Sequence, residues 1–122
     1  KMEIYKKCQF DAAHRLMDHE GKCKNLHGHT WTVEVWISGD RNEFGMIEDF
    51  NLIGDYINKK FDHRLILNST DPFTTASAYA HVDVTAIMGD PTAENLADLI
   101  RKDLNATKVR LWESDCSYAE VK

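Results

Sequence analysis

The stretch CKNLHGHTWTVEVWI, residues 23–37, decides the fold, because its second half alternates as a half-buried strand must. Over residues 29–37, Trp31, Val33, Val35 and Ile37 take one face while Thr30, Thr32 and Glu34 take the other. His27 and His29 fall on the apolar parity. Upstream, residues 2–14 alternate in the same way, with Met2, Ile4, Cys8, Phe10 and Ala12 opposed to Glu3, Lys7, Gln9 and Asp11, and His14 again on the apolar side. The link between them, RLMDHEGKCKNL, is too long and polar for a tight hairpin turn. Pairing the two strands across it sends His14, His27 and His29 to one face. Trp36, on the opposite face, is large for a solvated position and predicts a second covered surface, such as packing between subunits.

Further along, SGDRNEFG reads as a turn. Asp49 is an N-cap signal for a helix with Phe50, Ile53, Ile57 and Phe61 on one face and Lys59 and Lys60 in its last turn. Gly54 inside it costs about 1 kcal/mol against alanine. The segment 68–89 is mixed: NSTDPFTTASAYA reads as loop and residues 81–87 as a short strand. A second helix is signalled by GDPTAENLADLIRKDLNA, with Asp90 as cap, Pro91 at the first helical position and Leu96, Leu99, Ile100 and Leu104 as its buried stripe. KVRLWES alternates once more, and SYAEVK pairs back with it. The order ββααββ predicts an α+β domain, a four-stranded antiparallel sheet with two helices on one face.

With 122 residues the chain is read as a single domain, 1–122. Apolar residues make up 43% and no apolar run approaches the roughly 20 residues of a membrane span, so no membrane partner is expected. The opening KMEIYKKCQF reads as strand rather than as a targeting signal. A net charge of −5 argues against a general nucleic-acid binder. Cys8, Cys23 and Cys116 are odd in number and irregular in spacing, a poor disulfide framework that suits a reducing, cytoplasmic setting.

Three imidazoles on one face suit a metal ion, and a catalytic zinc typically has three protein ligands and an open fourth position. An isolated HxH is a weak signal; the third histidine on matching parity strengthens it. Two roles stand for Cys23: fourth ligand of a closed structural site, or a base facing substrate, since a thiol's ordinary pKa near 8.5 falls beside a cation. FDHRL sets Asp62 and His63 directly after the first helix, either as a carboxylate-oriented proton-transfer imidazole or as a helix C-terminal cap. Glu113 follows Val109 and Leu111 on an apolar parity, where a carboxylate is costly unless it meets donors. It either accepts hydrogen bonds from a ligand with adjacent NH groups or has already reached solvent.

Taken together, FDAAHRL, CKNLHGHTWTVEV, GMIEDF, FDHRL, PTAENLA and VRLWES resemble the 6-pyruvoyl-tetrahydropterin synthase family. The three residues between Cys23 and the HGH resemble its 6-carboxytetrahydropterin synthase branch. The resemblance implies the tunnelling fold, in which trimers close their sheets into a barrel, two trimers stack into a homohexamer, and active sites form between subunits. It implies Zn2+ on His14, His27 and His29, with the open position taking the side-chain hydroxyls of 7,8-dihydroneopterin triphosphate. Cys23 is then the proton acceptor, and His63, oriented by Asp62, serves the relay. Glu113 anchors the pterin and is counted with the relay, and Thr92 contacts the pterin. The implied products are 6-carboxy-5,6,7,8-tetrahydropterin, acetaldehyde and triphosphate, on the route to queuosine and other 7-deazapurines. The 68–89 link is longer than is usual in the family. Arg15, Lys22 and Lys24 are near the site in sequence, with a solvated charge run as the default reading.

Overall fold

Strand β1 (Met2–His14) and strand β2 (His27–Gly39) pair antiparallel along their whole length, in a register that sets Phe10 opposite Trp31, Ala12 opposite His29 and His14 opposite His27. Cross-strand partners share a face, so the two alternating patterns add into one apolar surface. The computed structural model describes residues 1–122. Helix α1 (Phe50–Phe61) begins at the expected cap, with Asp49 accepting a hydrogen bond from the Asn51 backbone N–H at 2.8 Å. Its stripe Ile53, Ile57 and Phe61 is buried against the sheet. Strand β3 (Arg64–Asn68), helix α2 (Phe73–Tyr79) and strand β4 (Val84–Ile87) follow, then helix α3 (Ala93–Leu104) and strands β5 (Lys108–Ser114) and β6 (Ser117–Val121).

The expected four antiparallel strands are present as β1, β2, β5 and β6, but the sheet is larger and mixed. Its order is β4-β3-β1-β2-β5-β6, with β3 parallel to β1 and β4 parallel to β3. Six strands and three α-helices therefore replace the expected four and two. The added unit arises from the 64–89 segment. Leu65, Ile66 and Leu67 are all buried, because Ile66 joins the main core while Leu65, in register with Ala13, faces the other side under α2. A strand covered on both faces reads as an unbroken apolar run rather than an alternation. Residues 73–79, read as loop, form α2 instead.

The main core lies on one face of the sheet, where Phe10, Trp31, Val33, Val35, Val109 and Leu111 meet Ile53, Ile57 and Phe61 of α1 and Leu96, Ala97 and Ile100 of α3. Phe10 and Trp31 stack at 5.9 Å between ring centroids. Each buried Val, Leu, Ile or Phe among them contributes about 1.5–3 kcal/mol. On the opposite face Trp36 is half-covered by its own chain, 5.1 Å from the Tyr5 ring and with Lys108 Nζ 4.0 Å above its centroid. The α3 cap differs from expectation: Thr92 Oγ1 accepts from the Asn95 backbone N–H at 3.0 Å, and Ala93 is the first helical residue. Asp90 lies outside the helix, where its carboxylate accepts from Asn68 Nδ2 at 3.1 Å and its carbonyl from Asn95 Nδ2 at 2.8 Å.

The loop ahead of α2 is fastened to the end of β1 by a partly buried ion pair. Arg15 donates from Nε and a terminal nitrogen to both oxygens of Asp71, at 2.7 and 2.5 Å, and its guanidinium lies 5.4 Å from the Phe73 ring centre. The guanidinium holds the Asp71 carboxyl below the usual carboxylate range. Asp71→Ala strands a partly buried guanidinium beside His14. The expected loss is about 2 kcal/mol, below the range for a fully buried pair because a quarter of Arg15 reaches solvent. Urea unfolding of the two proteins measures it, and an unchanged midpoint would contradict this reading.

Candidate metal centre

The histidine rings converge as parity requires: their centroids are 4.5 Å apart for His14 and His27, 5.1 Å for His14 and His29, and 5.0 Å for His27 and His29. Trp31 packs edge-on against His14 and His29, at 5.0 and 5.4 Å, and limits their rotation. Two backbone carbonyls select the tautomers. His14 Nδ1–H donates to the Pro91 carbonyl at 2.7 Å, and His27 Nδ1–H donates to the Asn25 carbonyl at 2.7 Å. A carbonyl only accepts, so each Nδ1 carries the proton and each Nε2 presents a lone pair. Burial also lowers the proton affinity of His14, which favours the neutral ligand form.

Glu113 completes the cluster. Its Oε1 lies 3.0 Å from His29 Nε2 and 3.3 Å from His14 Nε2, and one ligand atom from each of His14, His27, His29 and Glu113 falls within 4.8 Å of the others. Despite these distances, His14 Nε2 and His29 Nε2 are buried without a hydrogen-bond partner. The His14 Nε2 lone pair and the carboxylate it faces repel unless a cation lies between them, so the residues fit a bound divalent ion. Imidazoles with one carboxylate suit Zn2+ and neighbouring first-row metals.

The other expected residues occupy distinct places. Cys23 is half-buried in a single 3-10 turn, Lys22–Lys24, and is not among the four clustered donors. The turn is pinned by Leu16 N–H donating to the Cys23 carbonyl at 2.9 Å and Asn25 N–H to the Lys22 carbonyl at 3.0 Å. Lys22 and Lys24 are exposed, and Arg15 is occupied by Asp71. Thr92 spends an oxygen lone pair on capping α3 and keeps its O–H free to donate. The carbonyls of Pro91 and Asn25 that orient these rings carry no side-chain signal, so the residue pattern could not have identified them.

Asp62 and His63 form the oriented pair, with His63 Nδ1–H donating to Asp62 Oδ2 at 2.8 Å. Asp62 Oδ1 accepts the Asp11 backbone N–H at 2.9 Å, and the Asp11 carbonyl accepts the His63 backbone N–H at 2.7 Å. His63 has φ +58°, a left-handed conformation that turns the ring away from α1. It is exposed and lines a groove of about 940 Å³ with Asp11, His29, Thr30, Leu65 and Ser77. Asp11 and Thr30 are register partners one residue out of phase with Ala12 and His29, so their side chains leave the sheet on the side opposite the His29 side chain. The pair is oriented on Asp11 and is not among the four clustered groups.

The Asp62 hydrogen bond and charge hold His63 above its usual value near 6.5. With the folded value raised, the pair's contribution is fully present below about 6.5 and is lost as pH rises through the raised value. Asp62→Asn is expected to bring the titration midpoint of the His63 Cε1 proton, followed by NMR, back down toward 6.5. Equal midpoints in the two proteins would sink the assignment.

The family model described as 6-pyruvoyl tetrahydropterin synthase matches residues 3–122. The 6-carboxy-5,6,7,8-tetrahydropterin synthase of Haemophilus influenzae is 34% identical over 138 residues, covering 98% of each chain. That of Rickettsia bellii is 32% identical over 133 residues, covering 95% of this chain and 96% of its own. Among solved structures, the Caenorhabditis elegans 6-pyruvoyl tetrahydropterin synthase superposes with a TM-score of 0.70 at 22% identity, over 99% of this chain and 94% of that one. The Plasmodium falciparum enzyme gives 0.64 at 18%, over 98% and 96%. These likenesses bear out the α+β tunnelling fold, its strand count corrected as above. A match over nearly the whole chain, with three histidines meeting where the motifs place them, shows that this chain belongs to the 6-pyruvoyl tetrahydropterin synthase family.

Proposed function

We propose that this chain is a zinc-dependent 6-carboxytetrahydropterin synthase. It converts 7,8-dihydroneopterin triphosphate and one water to 6-carboxy-5,6,7,8-tetrahydropterin, acetaldehyde and triphosphate, in the route to queuosine and related 7-deazapurines. The observation that carries the reading is the convergence of three imidazoles, two of them (His14 and His29) with buried, unpartnered Nε2 atoms, with the half-buried Cys23 four residues before His27. The relatives' names supply the substrate class.

His14, His27 and His29 hold the ion, which when bound supplies the Lewis acidity that makes the side-chain carbon-bound protons easier to remove. Cys23 accepts the proton from the substrate side chain. His63, kept protonated over a wider pH range by Asp62, returns a proton from the other side. Glu113 accepts from the pterin's amino and ring NH groups, and Thr92 donates to the ring from the α3 cap.

In this proposal His63, which is not among the clustered groups, serves the metal of another subunit. The outer edge of β6, which pairs only with β5, is free to continue the sheet into a neighbour. On this reading trimers close a barrel and two stack as a hexamer. The absence of disulfides among Cys8, Cys23 and Cys116 agrees with a reducing, cytoplasmic setting.

Incubation of the zinc-loaded protein with dihydroneopterin triphosphate is expected to release acetaldehyde together with a product of the carboxypterin mass. A product that retains the three-carbon side chain after loss of triphosphate would assign the pyruvoyl reaction instead. No turnover with zinc bound would leave only pterin binding.

A further inference from the structure

We infer that Glu113 is the fourth metal ligand of the substrate-free protein and that substrate displaces it, so that one carboxylate closes the metal first and receives the pterin afterwards. The inference deepens the proposed function and rests on its metal reading.

Geometry carries it. Ligand arms of 2.0–2.1 Å in a tetrahedral zinc site make the ligand-to-ligand edges about 3.3–3.4 Å. Glu113 Oε1 is 3.3 Å from His14 Nε2 and 3.0 Å from His29 Nε2, close to such edges, yet neither approach is a hydrogen bond. The His14 tautomer excludes the simplest alternative. With Nδ1–H committed to the Pro91 carbonyl, neutral His14 has no proton on Nε2 to offer the carboxylate. Two acceptors at that distance need a cation between them, and the ion that the histidines fit would lie there. Cys23, the other candidate for a fourth ligand, is held in its turn outside the cluster.

The same residue is built to let go. Glu113 sits in the last part of β5, next to the register shift between Trp112 and Ser114, and its side chain is one-third exposed while His14 is buried. A carboxylate on a strand end that reaches solvent changes rotamer at little cost. Once its oxygen leaves the ion, both oxygens are free to accept the adjacent NH groups of a pterin. Ligand release and ring capture are then one motion, and an open coordination position arises only when a pterin is present.

The test uses Co2+ as the probe in wild type, Glu113→Gln, Cys23→Ala and, as control, His29→Ala, with visible absorption reporting coordination and chelator competition reporting affinity. Wild type is expected to show a four-coordinate spectrum without a thiolate-to-cobalt band. Glu113→Gln is expected to lose more than the roughly 10- to 100-fold in affinity that an outer-shell change costs, with a weaker spectrum of higher coordination. Cys23→Ala keeps both the wild-type spectrum and its affinity. Adding 7,8-dihydroneopterin, which has the pterin and side-chain hydroxyls without triphosphate, changes the wild-type spectrum. Wild-type affinity and spectrum in Glu113→Gln, a thiolate band abolished by Cys23→Ala, or no response to dihydroneopterin would each overturn the inference while Co2+ remains bound. Absence of Co2+ binding in wild type would overturn the metal reading as well.

Discussion

His29→Ala is expected to abolish stoichiometric metal binding and to lower kcat by about a thousandfold. His29 supplies one of three imidazoles, and its Nε2 is buried with no other partner to satisfy it. Removing the ring leaves two imidazoles and a carboxylate, with solvent able to enter beside Glu113. A Lewis-acid contribution of about 4 kcal/mol at the transition state corresponds to about three powers of ten in rate. The same change lowers stability, because an ion that binds only the folded chain contributes about 4 kcal/mol when its concentration is a thousand times Kd. Metal analysis and thermal unfolding with and without chelator separate the two effects. Chelated wild type should melt close to the variant, and the variant should not respond to chelator. A variant that keeps its ion and its rate would remove His29 from the site.

The half of the structure that carries the ligands was legible because alternation fixes a face and the face fixes a register. His14 pairs with His27, and Ala12 with His29, as parity requires. The half that binds the insert was hidden for two physical reasons. Leu65, Ile66 and Leu67 are covered on both sides, so they show no period of two, and α2, FTTASAY, has no apolar stripe and no side-chain cap at Pro72. The signal that was present lay one residue earlier: Asp71 Oδ1 accepts the Phe73 backbone N–H at 2.8 Å while the same carboxylate grips Arg15. Glu113 was recognisable as a misplaced carboxylate, but alternation gives its face and not its neighbour. The imidazoles beside it, His14 and His29, come from β1 and β2, and only the three-dimensional sheet brings them to its oxygens.

Cys23→Ala is expected to keep the metal and lose turnover by about 10²- to 10⁴-fold, the range for removing a positioned proton acceptor. The expectation follows from where the turn holds the thiol. Its carbonyl is tied to Leu16 N–H, and the same turn ends at Asn25, whose carbonyl orients His27. The loop is thus registered against the metal site through its backbone, which an alanine leaves intact, while the thiol itself contributes nothing to the four clustered donors. Cys23→Ser retains most of the volume but offers a hydroxyl in place of a thiol, so it is expected to restore packing without restoring rate. Metal content, unfolding midpoint and kcat measured together decide the role. Loss of metal in parallel with activity would make Cys23 a ligand. Loss of the midpoint alone would make it a packing residue. Retained metal and midpoint with a rate down by two powers of ten or more would assign it the proton.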